Sequence, residues 1–180
     1  MKYLLTGEES DRLLFKEVSL DYYGEWLRFF EDPETTRYWT SPDIPPRDAC
    51  DKWFAKQARR YDQDLGGMNA LIEKDTGNFI GHCGLLVQVV DEVTELEIAY
   101  SIMPDFWKLG YATEAAKKCM NFGFENKYTD SLISIISITN IPSERVARKN
   151  GLKISKRTTY NLNEVNIFRI TEKEWRKVNE

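Results

Sequence analysis

Hydrophobic positions along the chain change their spacing several times, and each change predicts an element. The stretch "RLLFKEV" (Arg12 to Val18) is a short apolar-rich run between polar flanks and predicts a strand. Ser19 can cap a helix in which Leu20, Tyr23, Trp26, Leu27 and Phe30 recur at helical spacing. Pro33, Pro42, Pro45 and Pro46 break the next stretch into loop or short helix. Pro46 then opens a second helical pattern that carries Ala49, Trp53, Phe54, Ala58 and Tyr61.

The texture turns at Gly66. Met68 to Lys74 and Phe79 to Val90 read as two strands joined by the turn "DTGN", a hairpin. Thr94 to Met103 is a third strand, reached through the acidic turn Asp91-Glu92. A helix then runs to about Asn126. Ser131 to Ile138 is almost continuously apolar, as expected of a strand covered on both faces. Asn140 can cap a helix that ends at Gly151, with Pro142 in its first turn. "LKISKRTTY" and "VNIFRI", around "NLNE", predict a closing hairpin, and "TEKEWRKVNE" a short terminal helix. The order is strand, two helices, three antiparallel-capable strands, helix, strand, helix, two strands. It predicts an α+β fold with a mixed, mostly antiparallel sheet flanked by helices. With no repeat, low-complexity segment or dividing linker, residues 1–180 are expected to form one domain.

Composition narrows the function classes. Apolar residues are 42%, charged residues 30% and aromatics 13%, which suits a packed soluble domain and argues against disorder. A net charge of −4 gives no support for nucleic-acid binding. Cys50, Cys83 and Cys119 are widely spaced and odd in number, so a disulfide framework and a zinc site are not expected, and a reducing cytosol is the natural home. His82 is the single histidine, which argues against a histidine-based triad or metal site; a strand side chain with a local partner is its expected role. No apolar run has the length of a membrane span, and "MKYLLTGEESDR" turns polar too early for a signal peptide. Neither metal, nucleic acid nor membrane is expected as a partner.

One stretch raises a chemical question. In "FWKLGYATEA" (Phe106 to Ala115) the chain leaves a strand at Pro104 and turns through Lys108-Leu109-Gly110 into a helix. The first turn of a helix leaves backbone N–H groups without partners at the positive end of the dipole. A glycine lets an anion approach them, and Lys108 adds positive charge. Taken alone the motif reads more simply as an ordinary helix start; neither a P-loop nor G-x-G-x-x-G is present.

Together, these stretches resemble the GNAT N-acetyltransferase superfamily, from "RLLFKEV" to the closing hairpin. In that family an [R/Q]-x-x-G-x-[G/A] loop holds the pyrophosphate of acetyl-CoA with backbone amides. The matching hexapeptide is Trp107-Lys108-Leu109-Gly110-Tyr111-Ala112, followed by Thr113. Trp107 departs from Arg or Gln and is similar to the subgroup of ribosomal-protein N-terminal acetyltransferases (RimJ/RimL-like), whose loop resembles W-G-K-G-Y-A-T-E-A. Lys108 and Leu109 stand where that subgroup has Gly and Lys. "NIPSERVARKNGL" (Asn140 to Leu152) resembles the subgroup's N-x-x-S-x-x-[VL]-x-x-K-x-G-[FL]. "ELEIAYSI" resembles the strand that hydrogen-bonds the pantetheine arm, and "NFIGHCGL" the strand before it.

The resemblance implies acetyl-CoA as acetyl donor, a primary amine as acceptor (a protein N-terminus or a small molecule) and direct attack. The implied donor contacts are Ile98, Ala99, Tyr100, Ser101 and Ile102 on the strand, residues 107–113 of the loop and helix start, then Asn140, Ser143 and Lys149. Arg145 and Arg148 are mainly solvent-facing candidates, one of which can meet the CoA phosphates. Glu97 is the candidate base, against the alternative of a solvated strand-edge glutamate; strand alternation groups it with Glu95, Ala99 and Ser101. The oxyanion donor would be a main-chain N–H near Ile98 to Tyr100. Many relatives protonate the thiolate with a tyrosine, but the matching position is Ala147, which leaves Ser143 as the sulfur's partner or simply a first-turn serine. Asn140 can cap its helix, touch pantetheine, or both. Tyr38, Trp39 and Tyr160 match regions that wall the acceptor groove, while Trp26, Trp53 and Phe54 read as core. A homodimer is compatible with the resemblance. The competing reading is a non-catalytic acyl-CoA-binding sensor or scaffold, motivated by Ala147 and the altered loop.

Overall fold

The computed structural model describes residues 2–39 and 43–179. Among these residues seven strands form one sheet: β1 (Leu13–Glu17), β2 (Gly66–Glu73), β3 (Phe79–Val90), β4 (Val93–Ile102), β5 (Ser131–Ser137), β6 (Lys153–Tyr160) and β7 (Asn163–Thr171). Their order is β1-β2-β3-β4-β5-β7-β6, antiparallel throughout except at the β4/β5 junction. The helices are α1 (Tyr23–Glu31), α2 (Pro33–Thr36), α3 (Pro46–Asp62), α4 (Tyr111–Glu125), α5 (Ile141–Lys149) and α6 (Glu172–Asn179). The predicted order of elements and the mixed, mostly antiparallel sheet are both present.

Alternation along the strands divides the core between two faces. Leu71, Ile80, Cys83, Leu85, Leu96 and Ile98 pack with Tyr111, Ala115, Ala116, Cys119 and Phe124 of α4 on one face. The small side chains of Ala115, Ala116 and Cys119 let that helix sit close to the sheet. Ala70, Ile72 and Phe79 face the other way, against Trp26 and Phe29 of α1 and Cys50 of α3. Leu71 pairs with Gly81 and Ile72 with Phe79, so Ile80 is an extra residue in the ladder. This bulge turns Phe79 and His82 to the α1/α3 face while Ile80 and Cys83 enter the α4 face.

Several expectations need correction. The helix expected from Leu20 begins as a 3₁₀ turn, Leu20–Tyr22, with the Ser19 side chain accepting from the Asp21 N–H, and α1 comes after it. Leu20 is 70% exposed, because the tighter turn rotates it off the apolar face. On α3, Ala58 is exposed, and the buried face is formed by Cys50, Gln57 and Arg60. The closing hairpin turns on Asn161 and Leu162 alone, both with positive φ, rather than on four residues. His82 is 1% exposed, yet its Nδ1 has no hydrogen-bond partner among the described residues. Its neighbours are the rings of Trp26, Trp53 and Phe79, at centroid distances of 4.3, 4.4 and 5.0 Å. The expected break at Pro42 lies outside the described residues.

Candidate active site

β4 and β5 pair at a single position, Glu97 with Ile133, and separate beyond it. A parallel pair that parts leaves backbone groups without a strand partner. The Ser134 hydroxyl donates to the Ile98 carbonyl at 2.9 Å, and the Trp107 indole N–H donates to the Ile102 carbonyl at 2.6 Å. Both carbonyls therefore turn toward the opening, and the period of two along a strand directs the Tyr100 amide the same way. Two clefts meet here and share Tyr38, Trp39, Tyr100, Ser101, Asn140 and Ser143.

The first cleft, about 450 Å³, runs from the opening toward the start of α4. Its wall includes Ile102, Trp107, Lys108, Gly110, Tyr111, Ala112, Thr113, Arg145, Val146 and Lys149. Gly110 precedes α4 with φ +89°, and no side chain caps the helix. A Cβ placed there would find only Arg12 Nη2 within 4 Å, at 3.5 Å, so the approach to the first-turn amides is open. Lys108 also has positive φ, +64°. Arg12 braces the loop from outside: its Nε donates to Glu114 at 2.7 Å, its Nη1 to the Leu109 carbonyl at 3.1 Å, and it stacks over Tyr111 at 4.1 Å. The Tyr111 hydroxyl donates to Glu73. Leu109, expected among the donor contacts, is 54% exposed and does not line the cleft; its carbonyl is turned to Arg12. Arg148 pairs with Glu144 at 2.8 Å and also lies outside the lining.

The second cleft, about 400 Å³, lies on the α3 side and contains Glu97. Glu97 is 7% exposed, so it is no solvated edge residue. The Gln88 amide donates to its Oε2 at 2.7 Å, and the Ile135 N–H to its Oε1 at 3.4 Å. Burial pushes the Glu97 pKa up, against the opposing pull of these two hydrogen bonds and of the Arg60 and Lys56 charges. Arg60 Nη2 donates to Gln88 Oε1 at 2.9 Å, and the Tyr160 hydroxyl lies 3.0 Å from the same oxygen. A guanidinium only donates, so the Gln88 oxygen must face Arg60 and its NH₂ must face Glu97. Arg60 is itself held by the carbonyls of Leu65 and Val87, at 2.9 and 3.1 Å. Tyr160 thus both lines the cleft and orients Gln88.

Asn140 caps α5 by accepting the Ser143 N–H at 3.1 Å and also borders both clefts, so capping and site-lining coexist. The Tyr100 hydroxyl donates to the Ser143 carbonyl at 2.9 Å, tying β4 to the first turn of α5. Ala147 is buried. Arg60 and Gln88 were missed by sequence reasoning, though a signal existed: Cys50, Trp53, Gln57 and Arg60 recur at helical spacing, with polar groups continuing an apolar stripe. Among the described residues no group of three or more His, Cys, Asp or Glu is placed to hold a metal ion. No helix of the described residues is long and apolar enough to cross a membrane.

The profile of the acetyltransferase (GNAT) domain family matches residues 12–153, which span the splayed strands, the loop and α5. The chain belongs to the GNAT acetyltransferase family. It is 32% identical over 146 residues to the uncharacterized protein YkkB of Bacillus subtilis (strain 168), covering 80% of this chain and 74% of that one. The fold is shared with an acetyltransferase from Agrobacterium tumefaciens str. C58, at TM-score 0.77 and 19% identity over 94% of both chains. Two structures of the same fold solved with CoA differ in acceptor. One is the spermidine N-acetyltransferase of Vibrio cholerae with CoA and spermine, at TM-score 0.73 and 10% identity, covering 91% of this GNAT chain and 98% of that one. The other is RimL, a ribosomal L7/L12 α-N-protein acetyltransferase with CoA, at TM-score 0.69 and 13% identity, covering 90% and 95%. Family membership makes this GNAT protein an acetyltransferase.

Proposed function

We propose that this acetyltransferase moves the acetyl group of acetyl-CoA directly to a primary amine, with Glu97 as general base. The observation that carries the reading is a nearly buried carboxylate, 7% exposed, in a cleft that joins the Gly110 cleft at the β4/β5 opening. The Gly110 cleft suits the donor: the open amides beside Gly110, with Lys108, Arg145 and Lys149, offer positive charge to the pyrophosphate and phosphate groups. The free edge of β4 offers the pantetheine amides a strand to pair with. The acceptor cleft is bounded by Tyr38, Trp39 and Tyr160.

In the reaction the amine must be neutral to attack. Glu97 takes the ammonium proton, the neutral nitrogen adds to the thioester carbonyl to give a tetrahedral oxyanion, and as that collapses the C–S bond breaks and the second proton of the attacking nitrogen passes to the leaving thiolate. The Tyr100 N–H is the donor for the oxyanion, and Ser143, on the first turn of α5, partners the sulfur. The "GYATEA" and "NIPSERVARKNGL" stretches favour the ribosomal-protein N-terminal subgroup within the family. The competing idea of a non-catalytic acyl-CoA module gives way, since the chain is a member of an acetyltransferase family.

The pKa of Glu97 is raised, so its base form is populated only above that raised value, and kcat/KM should climb with pH through it. Glu97→Gln should lower the rate by about 10²-fold or more, the contribution of a positioned base, remove this limb and leave acetyl-CoA binding intact. Free-thiol release measured against pH is the test; an unchanged profile removes Glu97 from the mechanism.

A further inference from the structure

We infer that the acceptor is a primary amine carrying a carboxylate a few bonds away, with the Lys56 ammonium receiving that carboxylate. This rests on the assignment of the Glu97 cleft as the acceptor site. Of the described residues lining it, only Lys56 and Glu97 carry full charge. Both Glu97 oxygens already accept hydrogen bonds, one from Gln88 and one from the Ile135 N–H. Lys56 is exposed on the wall and makes no hydrogen bond or ion pair within the described residues. A second positive charge, the Arg60 guanidinium, stands directly behind Gln88.

The balance of charge therefore selects the acceptor. One carboxylate faces two cations, so the cleft is positive before any ligand enters. A polyamine or aminoglycoside brings several ammonium groups, and after the first meets Glu97 the next finds no second carboxylate in the described lining of this cleft and two cations near it. A molecule with one amine and one carboxylate complements both wall charges at once: amine at Glu97, carboxylate at Lys56. The rest of the wall is apolar or neutral, with Trp39, Trp53, Met68, Leu86, Asn161 and Asn163, and suits the uncharged remainder of such a molecule. The chemistry is shared by a free α-amino acid and by a peptide whose N-terminal residue is acidic.

The test is thiol release from acetyl-CoA by the full chain, with four kinds of acceptor. They are free glutamate and phenylalanine; C-terminally amidated tetrapeptides beginning with Glu or Asp; the carboxamide counterparts, namely phenylalaninamide and the same tetrapeptides beginning with Gln or Asn; and spermidine and kanamycin. The expected result is a kcat/KM about tenfold or more higher for a carboxylate acceptor than for its carboxamide, the range of a charge-assisted hydrogen bond. Lys56→Met should bring that ratio close to one and Lys56→Arg should restore most of it, an outcome a purely structural lysine would not give. Preference for the free amino acid or for the acidic peptide tells the two sources apart. Equal rates for acid and amide, a ratio untouched by Lys56→Met, or preference for spermidine or kanamycin would each overturn the inference while leaving Glu97-assisted amine acetylation standing. Release with none of the amines would overturn both.

Discussion

Lys108 holds a backbone conformation, φ +64°, that L side chains adopt at a cost of about 1–2 kcal/mol. The resembling subgroup has glycine at this position, and the left-handed turn supplies the physical reason. Glycine would remove that cost and add about 0.5–1 kcal/mol of unfolded-state entropy to be lost on folding. The first effect is larger, so Lys108→Gly should stabilise the protein by up to about 1 kcal/mol, or about 2–4 °C in Tm for a chain of this size. The same substitution deletes a cation from the proposed phosphate groove, so KM for acetyl-CoA should rise. Thermal melts and steady-state kinetics on one variant should thus move in opposite senses. A loss of both stability and affinity would mean that the lysine side chain itself holds the loop.

At the scale of elements, the Glu97 site is a meeting of four: α3 supplies Arg60, β3 Gln88, β4 the carboxylate and β6 Tyr160. Gln88→Leu would remove the N–H that favours the ionised carboxylate, so the Glu97 pKa should rise further and the alkaline-going limb of kcat/KM should shift to higher pH. Arg60 Nη2 and the Tyr160 hydroxyl would lose their acceptor, a cost of about 1–3 kcal/mol. An unshifted limb in a folded variant would show that Gln88 does not govern Glu97. This meeting also marks where the sequence stops being legible. Strands, helices and the loop at Gly110 were readable because period, caps and turn residues act over a few positions. Alternation along one strand placed Glu95 and Glu97 on the same face, and the resemblance to the family singled out Glu97. The Arg60–Gln88 bond joins residues 28 apart and Tyr160–Gln88 residues 72 apart, and no local pattern encodes such a pairing. Gln57 and Arg60 on the buried stripe of α3 were the visible trace. They went unread because charged and amide groups ordinarily mark the solvent face.

At the scale of the whole molecule, two buried groups pull acid stability in opposite directions. His82 sits among Trp26, Trp53 and Phe79, and burial holds its pKa well below the usual 6.5. Below pH 6.5 the unfolded chain takes a proton there that the folded chain refuses, so this residue's contribution is lost as pH falls from 6.5 toward its folded pKa. Glu97 has the opposite sign. Its folded pKa is raised, so the folded chain keeps a proton that the unfolded chain releases above 4.5, and stability falls as pH rises from 4.5 to the folded value. Each slope is at most one proton. His82→Leu removes the first effect and should gain stability relative to wild type at about pH 5 more than at about pH 7. Glu97→Gln removes the second and should gain more at the higher pH than at the lower. Urea midpoints at the two pH values, taken as differences from wild type, cancel the many surface carboxylates common to all three proteins. Parallel differences for the two variants would mean that neither group is held in its uncharged form by the fold. Opposite differences would identify Glu97 as a carboxyl whose pKa the fold raises, which makes its ionised form a stronger base for the ammonium proton.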